Sequence, residues 1–206
     1  MARKRVYLIR HGKTPGNVQR RFLGRGTDEG LSEEGMKEAK RCRRLIDSMQ
    51  DFTRGALRVC ASPMIRALQT AGILFDCPVT AVRALEEIDF GLFEGKEEKE
   101  LSKMPSWQSW VDGGCLGQVP GGENLDDFID RSYEGFLEAL GDRTLDETIA
   151  IVCHGGTIMA VLSRLTGEDY FSFTVHNLCG YRLDLETEDE SIHLVSYDCF
   201  GSGDTA

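Results

Sequence analysis

The 206-residue sequence predicts an α/β three-layer sandwich: a mostly parallel central sheet with an antiparallel edge strand, and helices on both faces. Two observations carry this. Short apolar runs alternate with stretches whose apolar residues recur at helical spacing, as in strands joined by crossover helices. Two late apolar runs follow one another with no helix between them, which places an antiparallel pair at an edge.

The elements follow in order. Residues 5–9 read as a buried first strand that ends abruptly in Arg10-His11-Gly12. After a polar, Gly-rich loop, Ser32 is the expected N-cap of a helix in which Met36, Ala39, Cys42, Leu45, Ile46 and Met49 share the helical period. Leu57 to Cys60 form a second strand, and Ser62-Pro63 open a helix reaching about Phe75, with Ser62 as N-cap and Pro63 as its first residue. Val79 to Val82 suggest a short strand. Thr148 to Cys153 are a strongly apolar strand ending in His154-Gly155-Gly156, with a helix from Thr157 to Leu165. Residues 178–185 and 191–198 are closing strands around an acidic turn, and the tail from Gly201 is expected to be disordered. Residues 91–124 are rich in Gly, Pro and Trp and lack a clear period. A long irregular stretch in a compact domain reads as a functional lid. The expected organisation is one domain, 1–206, with a lid-like insertion at about 91–124.

Composition narrows the partners. A net charge of −10 disfavours a general nucleic-acid binder. The charge is uneven: residues 1–44 carry 13 Lys/Arg against 5 Asp/Glu, and the remainder is strongly acidic. A basic N-terminal fifth suggests a local anion site, although Lys37, Lys40, Arg41, Arg43 and Arg44 read as a solvated helix face. No run approaches the roughly 18–20 apolar residues of a membrane span, and the stretch after Arg5 is too short for a signal peptide. Neither nucleic acid nor membrane is an expected partner, and the expected location is cytoplasmic. Seven cysteines in no CxxC pair argue for reduced thiols rather than disulfides or zinc.

Ligands of open α/β sheets bind beyond the carboxyl ends of the strands. Three such ends present Arg10 with His11, Ser62 with Arg66 on the following helix, and His154. If these ends are neighbours, two imidazoles and two guanidiniums share one small volume. Such a cluster calls for an anion, and a phosphoryl group fits paired guanidinium donors. Glycines after both histidines let the backbone approach a ligand. His176 and His193 lack this context and read as structural. Cys60 to Arg66 also fit Cys-x5-Arg, the pattern of thiol-dependent phosphatases. Pro63 lacks an N–H, however, the loop has no glycine, and Cys60 falls in a core strand.

Arg10-His11-Gly12-Lys13-Thr14, Asn17, Ser62-Pro63-Met64-Ile65-Arg66-Ala67, Leu85 to Gly91 with Glu94-Gly95, and His154-Gly155 together resemble the histidine phosphatase superfamily, the phosphoglycerate mutase-like group. The motifs run in that order across nearly the whole chain. The resemblance implies that His11 is the nucleophile and that Arg10, Arg66 and His154 clamp the phosphoryl group. Asn17, Gly24 and Gly155 would bind substrate, and Glu87 would be the acid, with Glu86 the nearest alternative. It implies histidine-dependent acid phosphatase chemistry with no cofactor and no metal. The partner would be a small phosphate ester, and the protein a monomer or homodimer. Lys13 stands where the family most often has Glu or Gln, adding charge near the site entrance. The loop Gly24 to Leu31 resembles the family's substrate loop, but is one residue longer and lacks its proline before leucine.

Residues 96–124 are short for a cofactor-dependent phosphoglycerate mutase and have only Lys96, Lys99 and Lys103 near their start, which favours a phosphatase. Trp107 and Trp110, with Pro120 to Asn124, resemble the α-ribazole phosphatase branch, making α-ribazole 5′-phosphate the named candidate substrate. The two tryptophans would either stack on an aromatic base or anchor the lid. A non-enzymatic phosphoryl-ligand sensor on the same scaffold is the remaining alternative.

Overall fold

The computed structural model describes residues 2–53, 56–142, 144–188 and 191–201. Strand β1 (Ala2–Arg10) leads through the short helix α1 (Pro15–Val18) to α2 (Glu33–Ser48) and α3 (Gln50–Thr53). Next come β2 (Leu57–Ala61), α4 (Ile65–Leu74) and β3 (Val79–Ala81). Three helices follow, α5 (Glu98–Leu101), α6 (Pro105–Asp112) and α7 (Leu125–Leu140). Then β4 (Glu147–Cys153), α8 (Gly155–Thr166), β5 (Gly180–Glu188) and β6 (Ser191–Phe200) complete the order.

The sheet runs β3-β2-β4-β1-β5-β6. The first four strands are parallel, and β5 is antiparallel to both β1 and β6. The predicted sandwich is therefore present, with β1, β4 and β2 side by side. Alternation along β1 explains its unbroken apolar run. Val6 and Leu8 face one core with Phe136 and Leu140 of α7 and Ile158 and Val161 of α8. Tyr7 and Ile9 face the other, with Ile46 of α2 and Ala67, Ala71 and Leu74 of α4. Each face of the strand buries a different helix pair.

Two expectations need correction, and one element goes unmentioned in the sequence reading. Ser62 does not cap α4, which begins at Ile65 with Met64 in the N-cap position. Asp28 Oδ1 supplies the cap from outside, accepting from the Ile65 N–H at 2.8 Å, while Ser62 Oγ lies 2.8 Å from His154 Nε2. Residues 91–124 are not irregular throughout, because α5 and α6 close a small core of Phe93, Leu101 and Val119. The helix α7, with Asn124 accepting from the Asp127 N–H as its cap, is an element that the sequence reading leaves out. The predicted disorder beyond Gly201 and part of the acidic turn (189–190) lie outside the described residues.

Candidate active site

Adjacent strand ends bring the predicted residues together. The ladder continues past β1 and β2, His11 N–H donating to Cys153 O at 3.0 Å and Ser62 N–H to Val152 O at 3.0 Å. That continuation sets His11, His154 and Ser62 in one row. The two imidazoles are both buried, with ring centroids 5.2 Å apart.

Each histidine is oriented by what it touches. His11 Nδ1 lies 2.8 Å from Gly12 O, so Nδ1 carries the proton and Nε2 keeps its lone pair. Burial, then Arg66 and Arg10, hold the ring well below the ordinary histidine value, and therefore neutral. His154 Nδ1 accepts from Arg66 Nε at 3.2 Å, leaving Nε2 to donate to Ser62 Oγ. It too is held neutral, by burial and then by Arg66.

The arginines are fixed from the backbone. Arg66, with no exposed surface, donates from Nη1 to Thr27 O at 2.9 Å and from Nη2 to Gly24 O at 3.2 Å. Arg10 donates from Nη1 to Val175 O at 2.7 Å, while its buried Nε has no partner among the described residues. A buried donor left open costs stability unless a ligand completes it. Asn17 Oδ1 accepts from the Thr14 N–H and from Asn177 Nδ2, so its amide nitrogen is the side left to donate.

Glu87 is 8% exposed, its oxygens accepting from the Ile88 and Gly156 N–H groups at 3.1 Å each. Burial outweighs these donors and both arginines and raises the carboxyl above its ordinary value. A Cβ on Gly156 would come within 2.3 Å of Glu87 Oε1 and displace the carboxyl from its place. Burial and Glu87 also push the phenol of Tyr170 well above its usual range, so it stands neutral near the carboxylate.

Arg10, His11, Asn17, Glu87 and Gly155 line one cavity of about 460 Å³, with Phe22 and Phe90 as its aromatic rings. Arg66 and His154 sit behind this wall, paired with each other. Gly24 is not on it. Its N–H goes to Glu94 Oε2 and its carbonyl to Arg66, so it supports the site instead. Gly12 does not offer its N–H to a ligand either, because Thr70 Oγ1 accepts it at 2.9 Å. Lys13 adds no charge at the entrance, being paired with Glu34 and Glu38. Trp107 and Trp110 pack on Phe93, Phe22 and each other as anchors. Cys60 is buried in the core, its thiol pushed up to about 11 by burial, as an inert residue would be. His176 and His193 are exposed. A larger depression of about 540 Å³ at the opposite end of the strands surrounds Lys4. There Lys4 is tied to Leu145 O and Glu147, and it reads as structural.

Two supports escaped the sequence reading. Asn177 Nδ2 reaches His11 O at 2.9 Å from 166 residues away. Arg131 on α7 holds Glu123 through two bonds and also the carbonyls of Ala84, Glu86 and Glu87. Asn177 has no sequence signal, and Arg131 only its place on a periodic helix.

Fold and site together define an anion-receiving pocket built around a neutral histidine at the carboxyl edge of a parallel sheet. The chain belongs to the histidine phosphatase superfamily (branch 1), whose family model matches residues 6–198. A relative from Erwinia tasmaniensis, named a probable phosphoglycerate mutase GpmB, is 30% identical over 79% of this chain and 74% of its own length. Among solved structures, the α-ribazole phosphatase of Shigella flexneri matches with a TM-score of 0.75 at 24% identity, covering 92% of this chain and 94% of its own. A phosphoserine phosphatase mutant from Entamoeba histolytica, in complex with phosphoserine, matches with a TM-score of 0.73 at 24% identity, over 94% and 96% of the two chains.

Proposed function

We propose that the protein is a phosphomonoester hydrolase that works through a phosphohistidine on a small phosphorylated metabolite. The observation that carries this is the pairing, on one cavity, of a neutral His11 with Nε2 free and a buried Glu87 biased toward its protonated form. His11 Nε2 attacks phosphorus, forming the P–N bond as the ester P–O bond breaks, and Glu87 gives its proton to the leaving oxygen. Arg10 Nε and Asn17 Nδ2 receive the non-bridging oxygens, where charge builds, while Arg66 behind the wall holds His154 and adds its positive charge to the site. In the second step the Glu87 carboxylate takes a proton from water as that water attacks phosphorus. The P–N bond breaks, and both residues return to their starting states.

A mutase would use the same phosphohistidine, and the name of the Erwinia relative favours that second reading. Against it, Lys99 pairs with Glu97 and Lys96 bonds Leu92 O, and neither lines the cavity. α-Ribazole 5′-phosphate stays the named candidate substrate, with Phe22 and Phe90 the aromatic rings among the described lining residues that would stack on its base.

The test is hydrolysis of p-nitrophenyl phosphate. His11→Ala should lower turnover by about 10³-fold or more, and the parent should form an acid-labile, alkali-stable phosphoenzyme. Phosphate-ester binding without turnover would instead mark a sensor. Rapid transfer from the phosphoenzyme to 3-phosphoglycerate would establish the mutase.

A further inference from the structure

The catalytic cavity has a face that the phosphohistidine chemistry leaves unused. Arg20 and Arg21 lie on its wall where the chain leaves α1. Arg21 Nε is buried and without a partner among the described residues. The carboxylate paired with Arg21 is Glu29, at 4.0 Å from Nη2, and its other oxygen already accepts from the Gly16 N–H at 2.6 Å.

Arg20 adds a second, independent observation. It has a φ of 53°, left-handed backbone at the end of a helix, where glycine is the ordinary choice. The turn is closed by Arg20 N–H to Asn17 O at 3.1 Å and Arg21 N–H to Gly16 O at 2.9 Å. Glycine would make that turn with less strain, and the chain keeps an arginine there at a cost in stability.

Resting on the hydrolase reading, we propose that Arg20 and Arg21 form a second anion subsite. It selects phosphomonoesters whose leaving group carries its own negative group, a carboxylate or a further phosphate. Guanidinium donors match either in bidentate fashion. The transferring phosphate is received separately by Arg10 and Asn17, so the two anionic ends of one substrate occupy different walls. α-Ribazole 5′-phosphate, with no second anion, gains nothing from this subsite.

A matched set on one three-carbon frame tests it: propyl phosphate, 3-phosphopropionate and propane-1,3-diol bisphosphate. One of the anionic esters should exceed propyl phosphate in kcat/KM by on the order of tenfold or more, and which one does so identifies the second group. In Arg21→Met this ratio should fall toward one. Arg20→Gly should raise the melting temperature while lowering the same ratio, which separates the subsite from a folding role. Equal kcat/KM for all three esters in the parent, or a ratio that survives both substitutions, overturns the subsite. If neither these esters nor p-nitrophenyl phosphate is hydrolysed, the hydrolase reading fails by itself. Calorimetric binding of the bisphosphate against propyl phosphate then decides: an Arg21-dependent preference upholds the subsite, and equal affinity overturns it.

Discussion

At position 11 one hydrogen bond decides which nitrogen can react. Gly12 O takes the Nδ1 proton, and burial with two guanidiniums keeps the ring neutral well below its ordinary value. In the proposed mechanism acid therefore does not disable His11 as nucleophile near its usual titration range. The alkaline side is different. In the proposed mechanism Glu87 is the proton donor, and its value is raised, so activity should decline as pH climbs through that raised value and the leaving oxygen loses its proton source. Glu87→Gln should remove this alkaline limb. With an aryl phosphate, whose leaving group needs little acid, the variant should still phosphorylate His11. Hydrolysis of the phosphohistidine should slow by about 10²- to 10⁴-fold, so rapid-quench measurements should find phosphoenzyme accumulating. A Gln variant with an intact alkaline limb and no accumulation would move the acid role to Glu86.

At the scale of elements, the loop after α1 works as a brace between two others. Glu94 accepts from the N–H groups of Gly24, Gly26 and Phe90, and the carbonyls of Gly24 and Thr27 hold Arg66 on α4. A Cβ on Gly24 would come within 2.1 Å of Ile88 O, backbone against backbone with no flexible atom to yield. Gly24→Ala should destabilise the fold by about 1–3 kcal/mol and lower kcat/KM by about tenfold or more by displacing Arg66. Urea unfolding and steady-state kinetics measure the two effects. The same loop shows where sequence reading reaches and where it stops. The strands, α2 with its Ser32 cap and α8 were legible, because period and capping are local. The true cap of α4 was not, because Asp28 reaches Ile65 across 37 residues and leaves Ser62 to His154. Gly24 was legible as a motif glycine, but its task, packing against Ile88 O beneath Arg66, depends on tertiary contact.

For the whole molecule, the price of this site is a buried cluster with two cations, Arg10 and Arg66, two neutral imidazoles and a carboxyl biased toward neutrality. That composition makes global stability depend on both pH and anions. His11 and His154 have folded values well below about 6.5, so as pH falls through about 6.5 the unfolded chain binds protons that the native state refuses. Stability then falls by up to about 1.4 kcal/mol per pH unit for each histidine. Glu87 acts in the opposite sense: with its folded value raised, the native state takes up its proton first, which favours folding as pH drops. Two histidines against one carboxyl leave a net loss on acidification. Urea unfolding at about pH 7.5 and about pH 5.5 should show it, and His154→Gln should show a smaller difference between the two conditions. Inorganic phosphate should raise stability through Arg10 on the cavity wall, by about 2.7 kcal/mol at a hundred times its dissociation constant. That gain should shrink in Arg10→Met, whose side chain keeps the packing and loses the open Nε donor. A phosphate response left intact by that substitution would place the anion site elsewhere.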